Sequence, residues 1–195
     1  MELIELNHDV FDILVLSKNR IVCSSLANSN LKLYDEKFKL VKRLDKISEI
    51  IFEPVCIASY DNHLYITDKL NHIIIVLDFE LSRIKSIGSL GSSSNQFNSP
   101  WGICCKDGIL YICDNGNQRM QIFNKELEFI DTIKMDYQPW EIKITNSSIF
   151  VQAGSIKSLF IYELNSFRLK QKIDNPAEYC RLSVINSNVY RFNFC

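Results

Sequence analysis

Cations interleaved with aromatics are the residues of this 195-residue chain best placed to do chemistry: Lys69, His72, Arg119 and Lys157, with Trp101, Tyr137 and Trp140 between them. Aromatic faces stack nucleobases while ammonium and guanidinium groups neutralise phosphates. The same residue types build protein-binding hot spots, where Trp, Tyr and Arg are enriched. Catalytic constellations are sparse by comparison. His8, His63 and His72 form no pair at metal-ligand spacing, and nucleophile elbows, phosphate-cradling glycine loops and glycosidase-type acid pairs are absent. No catalytic residue, metal ligand or cofactor is therefore expected. Asp12 and Glu141 alone keep open a remote alternative, a metal-dependent hydrolase or lyase.

These residues belong to a repeat. Residues 54–87 superpose without a gap on residues 100–133, so that Pro54 falls on Pro100, Leu64-Tyr65-Ile66 on Leu110-Tyr111-Ile112, Asp68 on Asp114 and Asn71 on Asn117. Each copy alternates short apolar runs with turn residues, the pattern of four short strands per repeat. In the third copy the strands are predicted at Trp101–Cys105, Leu110–Asp114, Met120–Phe123 and Phe129–Ile133, with hairpin turns at Asp61-Asn62 and Asp107-Gly108. A weaker first copy puts Ile21 at the position of Tyr65, with one extra residue in its following loop, and Tyr190 marks a last, partial copy. The fold class is all-β: a β-propeller of four full blades and a partial fifth, one domain over 1–195, with copies at about 10–44, 54–88, 100–134, 139–173 and 176–195. Glu2–Leu6 could supply a strand that completes the fifth blade; otherwise the chain is a piece of a longer propeller with an open, self-associating edge.

The string Phe97-Asn98-Ser99-Pro100-Trp101-Gly102-Ile103, followed by Leu110–Asp114, Asn117-Gln118-Arg119 and Ile122-Phe123, closely resembles an NHL repeat. Asn71-His72-Ile73 is nearly the family's name-giving triplet, and the good match spans 52–134. The resemblance implies a propeller like the NHL domain of tripartite-motif proteins, which binds RNA or protein, although relatives include sensor domains and a metal-dependent lyase. Closely spaced Cys/His pairs of a RING or B-box are not present in the sequence.

Composition narrows the partners. A formal net charge of −1 gives no global field favouring nucleic acid, and no apolar run is long enough for a transmembrane helix. Seven cysteines without C-x-x-C spacing read as free thiols in a reducing, cytoplasmic setting. The expected function is a non-enzymatic binding scaffold that recognises a protein through the face carrying the second-to-third-strand loops; single-stranded RNA is the alternative. On that face the binding candidates are Lys69, His72, Trp101, Arg119, Tyr137, Trp140 and Lys157. Arg119 and Lys157 are expected to be exposed, the two Trp are as readily wedges between blades as ligand contacts, and the Asp/Asn pairs are expected to hold the loops.

Overall fold

The computed structural model describes residues 10–174, 180–185 and 188–193; Glu2–Leu6, and with it the proposed closing strand, lies outside them. Four four-stranded antiparallel sheets follow one another along the chain. The first blade is β1 (Asp12–Val15), β2 (Ile21–Ser25), β3 (Asn30–Tyr34) and β4 (Leu40–Leu44). A small hairpin, β5 (Lys46–Ile47) and β6 (Ile50–Ile51), leads to the second, β7 (Pro54–Tyr60), β8 (His63–Asp68), β9 (Ile73–Asp78) and β10 (Arg83–Ile87). The third is β11 (Pro100–Lys106), β12 (Ile109–Asp114), β13 (Arg119–Asn124) and β14 (Phe129–Lys134). The fourth is β15 (Pro139–Ile144), β16 (Ser148–Ala153), β17 (Ser158–Glu163) and β18 (Leu169–Asp174), and a two-stranded sheet, β19 (Cys180–Ile185) with β20 (Asn188–Asn193), follows. The fold is all-β and propeller-like.

Alternation assigns the two faces of each blade to different neighbours. Val22, Leu31 and Leu33 of the first blade pack on Ile57, Leu64, Ile66 and Ile75 of the second. The second turns Val55, Tyr65, Ile74 and Val76 to Ile103, Leu110, Ile112 and Phe123 of the third. Tyr111, Met120 and Ile122 then meet Ile142, Ile149, Val151 and Phe160 of the fourth. Among the described residues the core is thus three slabs between blades.

Turns recur with the strands. Asp61-Asn62 and Asp107-Gly108 all take positive φ, which makes the tight primed hairpins that match strand twist. The third-to-fourth-strand turns place Phe38, Leu81, Leu127 and Phe167 at φ between 54° and 64°. Leu81 and Leu127 are buried there, so packing against the preceding blade offsets their left-handed strain. Lys42 and Lys85 strengthen the same junctions by donating from Nζ to the Glu80 and Glu126 carbonyls of the following blade.

The structure corrects the register of the first copy. The Ser24 hydroxyl donates to the Val55 carbonyl at 2.6 Å, and Thr67 donates to the Trp101 carbonyl at 2.6 Å, one blade further on. Ser24, not Cys23, is therefore the counterpart of Thr67, and Val22 replaces Ile21 as the counterpart of Tyr65. The extra residue lies in the β1–β2 connection, where Ser17–Asn19 form a 3₁₀ turn. The alternation had disguised it because Ile21 and Val22 are both apolar.

Buried thiols and phenols give the fold a pH limit. Burial pushes Cys23 and Cys105 up to about 11 and Tyr65 up to about 12. Such groups bind protons more tightly folded than unfolded, so their stabilisation is complete below an ordinary thiol pKa near 9 and is lost as pH rises through the folded values. The thermal midpoint should hold from pH 7 to about 8.5 and fall steadily between about 9 and 12. A midpoint level to pH 12 would contradict this burial.

Candidate functional site

The loop face is built from four-residue connections between second and third strands that all turn in the same way. Ser29, His72, Gln118 and Lys157 occupy one repeat position and have φ of 51°, 59°, 52° and 50°. This left-handed residue reverses the chain into the third strand, and its side chain is left to vary. The residue four before it anchors the loop. Asp68 Oδ1 accepts from the backbone N–H groups of Glu53, Leu70 and Asn71, while Asn71 Nδ2 donates to Asp68 Oδ2 and to the Ile51 carbonyl. Asp114 accepts from the Asn98 N–H at 2.7 Å, Asn117 Nδ2 at 2.9 Å, Gln121 Nε2 at 3.2 Å and Arg119 Nε at 2.6 Å. The recurring Asp and Asn thus clamp the linker that enters their own blade, as their side-chain chemistry suggests.

That network claims one expected binding cation. Arg119 is 11% exposed and donates to Asp114 and to the Ser92, Ser93 and Gln96 carbonyls. It is a buried linker clamp, contrary to the exposure expected of it; the signal was Asp114 five residues earlier. Tyr137 is also internal, 6% exposed, stacked on Phe160 at 3.9 Å and hydrogen-bonded through its hydroxyl to Tyr162 at 2.8 Å. Burial first, then that hydrogen bond, holds its phenol protonated far beyond the ordinary range. His72 Nδ1 accepts from the Ser99 N–H at 2.9 Å and so fastens the linker into the third blade.

Trp101, Trp140, Lys69 and Lys157 remain at the face. The two indoles stack at 5.0 Å between centroids, with their planes 7° apart, and both are half-buried. Phe11, their counterpart in the first blade, meets Trp101 edge-on at 6.0 Å. The Lys69 ammonium lies 5.1 Å from the centre of the Trp101 ring and 3.7 Å from Glu53. On the far side Trp140 rests on Gly154, where a Cβ would come within 2.2 Å of the ring. Gly154 and the exposed Leu70 and Ile156 were not singled out from the sequence; Gly154 was the available signal, standing where other copies have Leu26, Lys69 and Asn115. Lys157 lies exposed in the fourth loop, which has Ala153 and Ile156 in place of the Asp and Asn clamps.

The acids on the first strands of the first and fourth blades, Asp12 and Glu141, have local partners. Asp12 accepts from the Ile13 and Ile57 N–H groups, the latter a bond into the second blade. Glu141 is 6% exposed with Lys143 at 3.6 Å. Burial pulls the Lys143 ammonium down and Asp12 and Glu141 push it up; the carboxylates prevail and it stays charged well above its ordinary range. Among the described residues no three His, Cys, Asp or Glu side chains gather as a metal site. The five described cysteines are free, and no helix among the described residues is long and apolar enough to cross a membrane.

An NHL repeat model matches residues 97–123. Over 107 residues the chain is 24% identical to NHL repeat-containing protein 2 of Gallus gallus, an alignment covering 49% of this chain and 14% of that protein. Virginiamycin B lyase from Staphylococcus aureus superposes with a TM-score of 0.74 at 12% identity, over 95% of this chain and 63% of that one. The RRP9 WD40 repeats give 0.73 at 9% identity, over 92% and 55%. The chain spans less than two thirds of each of these proteins, and an enzyme and a WD40 protein are alike in backbone, so the likeness carries the fold alone. The residues matched by the family model form the last of the linker and first three strands of the third blade; the chain is a β-propeller that carries an NHL repeat.

Proposed function

We propose that this propeller is a non-enzymatic binding module that recognises a protein partner through its loop face. One observation carries the reading: Trp101 and Trp140 stay half-buried and stacked on each other at that face, with Trp101 packed against the slab between the second and third blades but not enclosed by it. Large aromatics with lysines beside them are the composition of interface hot spots.

Single-stranded RNA is the weaker reading for a geometric reason. Of the stacking and phosphate residues it would use, Tyr137 is core and Arg119 is spent on the linker. The indole faces are covered by each other, Lys69 and Gly154. Two tests separate the readings. Random single-stranded RNA should show no saturable binding at low salt, whereas a steep salt slope would favour RNA. Partners captured by the intact protein should be lost with Lys69→Glu/Lys157→Glu and kept with Asp61→Lys/Lys125→Glu on the opposite face. The reverse pattern would overturn the assignment of the face.

A further inference from the structure

We infer that the Trp101–Trp140 stack, flanked by Lys69-Leu70 and Ile156-Lys157, is a docking site for an acidic, apolar peptide segment of a protein partner. This deepens the proposed function and rests on its choice of face.

The site is contiguous across blades. Lys69 in the second blade's loop sits over Trp101, Trp101 stacks on Trp140, and Trp140 rests on Gly154, the first residue of the loop that ends at Lys157. Phe11 joins from the first blade at 6.0 Å from Trp101. With the ring faces covered, the accessible parts of the stack are its edges. An aromatic edge carries the positive end of the ring quadrupole and favours a carboxylate or carbonyl oxygen over a cation.

The flanking charges act in the same direction. Lys69 is 3.7 Å from Glu53, beyond hydrogen-bond length, and among the described residues its ammonium makes no hydrogen bond. Its N–H donors can therefore turn to an incoming carboxylate, in contrast with Arg119, whose guanidinium already serves four acceptors. Each lysine has an exposed apolar neighbour in its own loop, Leu70 at 47% and Ile156 at 50% exposure. Two lysine–apolar pairs on either side of an aromatic stack complement a segment in which acidic and large apolar residues are interspersed. A basic segment would meet like charge at both ends.

The test is selection from a random dodecapeptide display library on the purified protein, followed by titration of the enriched peptides. Enriched sequences should be net acidic and contain Leu, Ile or Phe. Their affinity should fall at least about tenfold with Lys69→Glu, with Lys157→Glu and with Trp140→Ala, with Gly154→Ala as a second variant should Trp140→Ala fold poorly. Enrichment of basic or neutral peptides that these variants still abolish would overturn the acidic assignment and leave the face standing. Peptides indifferent to every variant, or no enrichment, would overturn both.

Discussion

Asp114→Ala should lower the thermal midpoint by about 6–20 °C, the largest loss expected from one polar side chain in the loop network. The carboxylate is fully buried and accepts four hydrogen bonds, one from a guanidinium that is itself only 11% exposed. Removing one partner of a buried charge pair costs about 3–5 kcal/mol because the other charge remains without compensation. For a domain of this size, each kcal/mol shifts the midpoint by about 2–4 °C. The fourth blade shows how the loss can be relieved: it has Ala153 where Asp114 stands and Ser158 where Arg119 stands. Asp114→Ala/Arg119→Ser should therefore be less damaging than the sum of the single changes, a coupling read from a double-mutant cycle. Strict additivity would mean that the pair contributes nothing as a pair.

The same network explains how much was legible in advance. Strands and tight turns follow from alternation and from Asp-Asn and Asp-Gly pairs, which are local signals, and the third blade begins and ends within two residues of its predicted strands. Asp68 with Asn71 and Asp114 with Asn117 were legible as loop anchors because Asx side chains a few residues apart bond each other and the nearby backbone. Tyr137 was not, because its partner arrives from a strand more than 20 residues distant. Arg119 was legible only in part: Asp114 stands five residues before it, but the Ser92, Ser93 and Gln96 carbonyls that complete its hydrogen bonds come from a linker more than 20 residues away. The indole pair was half legible. A shared repeat position brought Trp101 and Trp140 to adjacent blades, but their mutual stacking and the part of Gly154 depend on how closely the innermost strands approach. The approach is set by Gly102, whose lack of a side chain is visible in the sequence while the backbone it admits is not.

Gly102→Ala supplies the sharper test of that approach. A Cβ there would lie 2.6 Å from the Trp140 carbonyl oxygen, 3.0 Å from the Glu141 Cα and 3.1 Å from the Ile142 N. All three are backbone atoms of β15, so no rotamer change relieves the contact and the innermost strands of two blades must move apart. Overpacking of this kind costs roughly 1–3 kcal/mol, a midpoint drop of about 2–12 °C. Gly154→Ala differs in kind: its Cβ would strike only the Trp140 ring, 2.2 Å from Cδ2, and a side chain can swing away. That variant should keep its midpoint within a few degrees but lose the near-ultraviolet circular dichroism of the stacked indoles. Gly102→Ala should lose both, because Trp101 and Trp140 stand on the very strands it separates. If Gly102→Ala kept both its stability and the indole signal, the strands would have slack the packing denies, and the site would depend on its loops rather than on the blades beneath them. If instead Gly154→Ala alone removed peptide binding from a stable fold, recognition would be located in the indole stack itself.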